Sequence, residues 1–370
     1  MIGEERAQTD VQGGGNEREE LATRTYKCDS CGNFLRYDPA TRKLKCAHCG
    51  NLYPIHDCPR AMELTYNEGS EPEYEPWGDV KTIRCGDCGA VTQLAAFSTA
   101  TKCPFCGAPH VVELDQTEGL KPNGILPFAV DEEGAYTAYR KWIKGKLFAP
   151  FRLSKLAKRD DAHGIYIPLF TFDTQAGADY TIRYGQHYTV TVGSGKNRRT
   201  ETRTRWYVRD GFISSFFDDV QIEARRMITQ SQMEKIGGFA SGTSVQYHSQ
   251  FVAGFDSERY SSGLDESWEK ADEIVRDRLR AQIIARYNAD VVDYVKMRVS
   301  HADTTYKYVL APIWSIRYTY YKKRYGCIVN GRNRRVVGKY PVSPWKVLIT
   351  VLVGSGLIAL AVWLLMTYVL

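Results

Sequence analysis

Hydrophobic and polar positions change period along this chain, and the changes mark out its elements. In residues 180–192, Tyr180, Ile182, Tyr184, Tyr188, Val190 and Val192 fall on one face, broken only by Gln186. Thr181, Arg183, His187, Thr189 and Thr191 fall on the other. That period of two predicts a half-buried strand. After a polar turn (Gly193, Ser194, Gly195, Lys196, Asn197), residues 200–209 alternate again. Thr200, Thr202, Thr204, Trp206 and Val208 oppose Glu201, Arg203, Arg205, Tyr207 and Arg209. The two runs predict an antiparallel hairpin with one wet, basic face carried by the second set.

The period lengthens to 3.6 in residues 265–287, where Trp268, Ala271, Val275, Leu279, Ile283 and Tyr287 form one stripe and charged residues the other side. This is an amphipathic helix. A shorter helix is expected from Asp131 to about Gly145. Strand patterns resume at 291–299, 306–321 and 325–329, with a turn within 330–333 and a return through Val336 and Val337. Strands gathered around one or two helices predict an α+β class with a mostly antiparallel sheet. Two apolar segments, 165–170 and 309–314, echo each other, each with an internal proline (Pro168, Pro312). Proline inside a strand predicts an edge or a bulge.

From Val347 to Leu370 there is no charged residue in 24 positions. A helix of that length reaches about 36 Å, enough to cross a hydrocarbon core of about 30 Å. Ser343 suits the N-cap and Pro344 the first turn, with Trp345 and Lys346 at the interface. Residues 317–346 hold nine Lys or Arg and no Asp or Glu. The excess of positive charge predicts that the soluble part faces the cytoplasm as a tail-anchored, single-pass membrane protein. The polar opening MIGEERAQTD gives no sign of a secretory signal.

The cysteines add a site. Cys28, Cys31, Cys46 and Cys49 are matched by Cys85, Cys88, Cys103 and Cys106, each 57 positions later, and a glycine follows every C-x-x-C pair. Glycine at that place can take positive φ and let backbone N–H groups face the thiolates. Two such turns brought together give a closed tetrahedron of sulfur, which suits structural zinc. Two zinc ribbons, 25–55 and 81–112, are therefore expected. Each is too small for a core of its own, so metal should supply most of its folding free energy. A redox pair or disulfides fit two matched sets less well, while an iron centre shares the spacing. His48 lies inside a shell already filled by four thiolates; Cys58 and Cys327 are read as ordinary reduced thiols.

The remaining organisation is a polar tail, 1–24, expected to be disordered, and an acidic linker, 56–80, between the ribbons. An α+β domain of one or two subdomains spans 113–343, and the anchor is 344–370. Composition narrows the function. Eight thiolates and two zinc ions take the formal charge of +6 to about +2, which argues against coating nucleic acid by bulk charge. The run 193–196 resembles a phosphate loop but lacks both the hydroxyl residue and the upstream glycine, and no G-x-S-x-G or H-E-x-x-H occurs. No catalytic residue is assigned. The arginines of 203–209 and the cluster Lys322, Lys323, Arg324 could meet anionic headgroups or phosphates, or could simply be solvated.

The order of motifs, with C-x-x-C-G ribbons, Gly164 to Asp173, Gln250 to Phe255, Ala311 to Trp314, Val329 to Gly338 and a terminal span, resembles the prokaryotic TFIIB-type zinc-ribbon membrane proteins. The resemblance covers about residues 25–370. Some members are labelled transcription or replication components, and some are associated with phage-shock and flotillin-like membrane-stress systems. It implies a non-enzymatic, membrane-tethered adaptor for cytosolic or membrane-associated proteins, with a membrane-bound nucleic-acid binder as the second expectation. Arg334 stands where the family pattern often has a turn glycine.

Overall fold

The computed structural model describes residues 26–55, 57–67, 75–76, 82–85, 91–93, 111–114, 118–155, 162–194, 198–224, 228–258 and 260–368. The expected tail, 1–24, lies outside them. Strands β1 (Leu35–Asp38), β2 (Lys43–Cys46) and β3 (Leu52–Tyr53) make a small antiparallel sheet. Next come β4 (Leu64–Thr65), β5 (Glu75–Pro76), β6 (Thr82–Cys85), β7 (Val91–Gln93), β8 (Val111–Leu114), β9 (Glu118–Gly119), β10 (Gly124–Ile125) and helix α1 (Glu132–Lys144). Two long strands follow, β11 (Ala162–Val192) and β12 (Arg199–Glu223), then α2 (Gln230–Lys235), β13 (Val245–Gln246), β14 (Asp256–Glu258) and α3 (Leu264–Arg286). The chain continues through β15 (Val291–Tyr320), β16 (Lys323–Asn330), β17 (Val336–Gly338) and α4 (Pro344–Tyr368). The class is α+β with a mostly antiparallel main sheet; β10–β15 and β11–β14 are parallel pairs within it.

The antiparallel pairing of β11 with β15 organises the molecule. It runs from Ala162 opposite Ile316 to Gly185 opposite Val291. Where the sheet is covered on both sides, the strands read as unbroken apolar runs. Ile165, Ile167, Leu169, Val309, Ala311 and Ile313 face a cluster built with Leu126, Ile228, Met233, Ile236 and Phe239. Tyr166, Phe170, Phe172, Tyr308, Leu310 and Trp314 face the larger core with Phe128, Tyr139 and Phe255. α1 starts where the sequence places it, because the Asp131 carboxylate accepts from the Gly134 N–H at 2.9 Å, and it buries Ala135, Tyr139 and Ile143.

Both internal prolines sit in the middle of this pair, not at an edge. Pro168 lies opposite Leu310, and Pro312 opposite Tyr166. Each is in a gap where the neighbour on the other side changes. β14 ends its pairing at Tyr166 and β12 begins at Leu169; β10 ends at Leu310 and β16 begins at Ile313. No ladder hydrogen bond is required of either missing N–H, while both carbonyls are used, by Ala224 N–H (3.2 Å) and Gly331 N–H (2.9 Å). The echoing segments therefore face each other in one sheet.

The strands expected at 180–192 and 200–209 are the outer ends of β11 and β12, and 291–299 and 306–321 are one strand, β15. These three continue beyond the pairings with β10, β14 and β16 as a three-stranded arm, with irregularities of register near Asp173 that favour a bend. Asp219 and Asp303 have positive φ near these irregularities. α3 covers one face of the arm with Ala271, Val275, Leu279 and Ile283, all fully buried, as its stripe predicts. The register corrects the expected face of β12. Tyr184 lies opposite Tyr207, so the arginine-bearing side of β12 shares α3's side of the arm. The Tyr184 ring is 5.4 Å from Tyr207 and 4.9 Å from Tyr287 at the end of α3. Trp206 and Val208 point the other way and are exposed, although Arg203, Arg205 and Arg209 are exposed as well.

The stretch read as a linker touches the body of the protein where it is described. β4 pairs with β15 at Tyr306 and Thr305, and β5 pairs with β9. α4, 25 residues and about 37 Å long, carries no charge after Lys346 and is exposed, long enough to span a membrane. Its start is tied to the turn that follows α1: Lys346 donates to the Ala149 carbonyl at 2.6 Å, and Ser343 N–H to the Phe148 carbonyl.

Arg334 adopts a left-handed conformation, with φ of 63°. That conformation costs a residue with a Cβ roughly 1 kcal/mol. Arg334→Gly should therefore be more stable than Arg334→Ala by roughly 1 kcal/mol in denaturant titration.

Candidate metal centre

The first ribbon is assembled by two superimposable turns. Cys28 N–H donates to Asn33 at 2.7 Å and Gly32 N–H to Cys28 at 2.8 Å. The second turn repeats this, with Cys46 N–H to Asn51 at 2.9 Å and Gly50 N–H to Cys46 at 3.1 Å. Gly32 and Gly50 have φ of 70° and 77°, which closes each turn around its sulfurs. β1 and β2 then bring the turns together through the pairing of Leu35 with Cys46.

The four sulfurs of Cys28, Cys31, Cys46 and Cys49 lie within 4.8 Å of one another. Three separations are 3.5, 3.5 and 3.6 Å. A tetrahedral zinc with Zn–S near 2.3 Å needs sulfurs about 3.8 Å apart, so the set fits with small adjustments. Cys28 and Cys46 are buried and Cys31 and Cys49 exposed. His48 is exposed and outside the cluster. The Tyr53 hydroxyl, 3.2 Å from Cys28, lowers that thiol to about 6, and the Cys49 and His48 backbone N–H groups lower Cys46. Cys31 is pulled down by the Asn33 N–H, but burial and the three neighbouring sulfurs outweigh that and push it up to about 12. Four sulfurs this close can all ionise only with a cation between them, and zinc would neutralise half the charge of the four thiolates while leaving no open coordination position.

The ribbon is fastened to the core. Tyr37 is 3 % exposed, donates through its hydroxyl to the Phe128 carbonyl, and packs edge-on against Phe251 at 5.5 Å. Its N–H bonds Ala253 at 2.9 Å. Gly254, with φ of 84°, lets Arg36 pass where a Cβ would sit 2.7 Å from that side chain.

Of the second set, Cys85 is buried at the end of β6; Cys88, Cys103 and Cys106 lie outside the described residues. The strand pairing that opens the repeat nevertheless matches. Arg84 pairs with Val91, and Lys27 with Phe34, again 57 positions apart. Cys58 is half-buried and Cys327 buried, and burial raises both thiols.

Sequence reasoning missed Tyr53, and it missed a second polar cluster at the bend of the arm. The carboxylates of Asp173, Asp218 and Asp219 converge within 4.8 Å. The ammonium of Lys307, 6 % exposed, lies 3.0 Å from Glu63 and 3.6 Å from Asp219. Burial, only partly offset by the Asp219 N–H, raises Asp173 to about 6. Lys307 is the positive charge that reaches this cluster, through Glu63 and Asp219. The only warning in the sequence was a lysine inside the apolar run of β15.

The four-cysteine cluster, consistent with a zinc site, lies in a small ribbon joined to an α+β body and followed by a long apolar helix. The chain is similar to an uncharacterized protein, YdjG, of Bacillus subtilis, at 26 % identity over 229 residues. The match spans 62 % of this chain and 66 % of that protein, just under two thirds of its length. No family model and no solved structure matches.

Two outcomes follow for these clusters. Cys31→Ser should release one equivalent of zinc by elemental analysis, whereas Cys58→Ser and Cys327→Ser should release none. Lys307→Met should cost roughly 2 kcal/mol at pH 7, because it removes the charge-assisted bond to Glu63 and the ammonium near Asp219 and the buried Asp173. With its raised pKa, Asp173 is protonated as pH falls below about 6. The penalty should shrink between pH 7 and pH 4 in denaturant melts.

Proposed function

We propose that the protein is a membrane-tethered adaptor that carries two structural zinc ribbons and recruits cytosolic proteins to the bilayer. The observation that carries this reading is the attachment of a closed four-thiolate ribbon and an apolar helix to one continuous core. Tyr37 holds the ribbon to it, and Lys346 with Ser343 holds the helix. A closed metal shell offers binding geometry and no reactive position. The second ribbon is proposed from the 57-residue repeat and the matching hairpin at Arg84 and Val91.

Residues 347–370 hold the chain in the membrane with the soluble part in the cytoplasm, as the basic flank favours. The exposed hairpin Tyr321, Lys322, Lys323, Arg324 follows β15 at the anchor's end of the sheet, where it suits anionic headgroups. Membership of the TFIIB-type zinc-ribbon membrane proteins belongs to the same proposal. Zinc keeps each ribbon folded when bound. The ribbon's own residues present a fixed surface, and the helix fixes its place.

Full-length protein purified from detergent-solubilised membranes should bring down a defined cytosolic protein whose recovery survives nuclease. Removing 344–370 should shift the protein to the soluble fraction with its zinc retained. Recovery that disappears with nuclease would replace this reading with the nucleic-acid one.

A further inference from the structure

We infer that the outer edge of β12 is a docking strand for an extended acidic segment of a partner protein, one that alternates carboxylate and apolar side chains. The inference rests on the adaptor reading and names where the partner binds. Among the described residues β12 pairs only with β11, so its second edge presents unused backbone groups over much of its 25 residues. Such an edge accepts an added strand unless something prevents it.

The two faces beside that edge differ in chemistry. One carries Arg199, Arg203, Arg205 and Arg209, all exposed, with Glu201 as the acidic exception. Glu201 already serves two arginines, Arg199 at 2.8 Å and Arg203 at 3.4 Å. Arg205 lies over the Tyr188 ring, and no carboxylate among the described residues pairs with Arg205 or Arg209. The other face carries Trp206 (43 % exposed), Val208 (50 %), Phe212 (58 %) and Phe216 (61 %). Four large apolar groups share one strand face, interrupted only by Asp210 and Ser214, and a patch of that kind marks an interaction surface.

A strand added here would alternate its side chains between the two faces, so it would offer carboxylates to the arginines and apolar groups to Trp206 and Val208. The same arginines disfavour a second copy of this chain. Every antiparallel self-pairing centred between Thr204 and Tyr207 sets arginine against arginine: 203 with 205, 205 with 205, 203 with 209, or 205 with 209. Position also bears on the choice. The tip at Val192 and Arg199 is about 100 Å of strand from Ala162, at the end where α4 begins. That removes the arginine edge from the headgroups at the anchor and leaves it to a cytosolic partner.

The test uses full-length protein in phosphatidylcholine nanodiscs and fluorescence anisotropy with three labelled probes. These are a ten-residue peptide alternating Glu with Val or Phe, a peptide of the same composition with its acids in one block, and a twenty-nucleotide single-stranded DNA. The alternating peptide should bind at least about tenfold more tightly than the block peptide. Arg203→Glu with Arg205→Glu should weaken it about tenfold or more, and Trp206→Ser should also weaken it, with zinc content unchanged. Equal binding of the two peptides, indifference to the charge reversals, or preference for DNA would overturn the inference. The doubly reversed protein also separates this idea from the adaptor reading. If it still recovers the nuclease-resistant partner, only the docking edge is wrong; if neither protein recovers one, the adaptor reading falls.

Discussion

The pairing of β11 with β15 is the constraint on which the other elements depend. It buries apolar residues on both faces at one end and carries a three-stranded arm at the other. Each flanking element takes its place from a gap or an end of this pair. β14 and β12 share one side of β11 across Pro168, and β10 and β16 share one side of β15 across Pro312. A proline that would break an ordinary central strand here marks where one neighbour stops and another begins.

The four-cysteine ribbon draws on two sources of order. The metal would close Cys28, Cys31, Cys46 and Cys49, and structural zinc contributes about 10–16 kcal/mol in zinc-finger peptides at neutral pH. The core supplies the rest through Leu35, Tyr37 and Leu44, which are buried in the same cluster as Phe128 and Phe255. The stacked rings of Phe128 and Phe255, 4.3 Å apart, lie between the ribbon and the central strands. The ribbon is thus an outer layer of the body, and its orientation relative to α4 is set by side-chain packing rather than by a linker.

Sequence patterns made the local elements legible. Asp131 capped α1, the stripe from Ala271 to Ile283 placed α3, and the C-x-x-C-G spacing brought four sulfurs together. What the patterns could not carry was non-local. Alternation along β12 fixes which residues share a face, but only its register with β11, Tyr207 opposite Tyr184, decides which face meets α3. Tyr53 gained its role because β3 folds back beside Cys28, and Lys307 gained its partners from Glu63 in a segment read as linker. The continuity of β15 through Asp303 was hidden because its alternation slips at that irregularity.

Hydrogen–deuterium exchange on the full-length protein, with and without a zinc chelator, tests the joining of ribbon to body most directly. Removing the metal should speed exchange across residues 26–53 and also at 251–255, where Tyr37 and Arg36 dock. The amides of 165–172 and 309–316 should stay protected in both states. Faster exchange confined to 26–53, with 251–255 unchanged, would show a ribbon that folds apart from the body and would contradict this account.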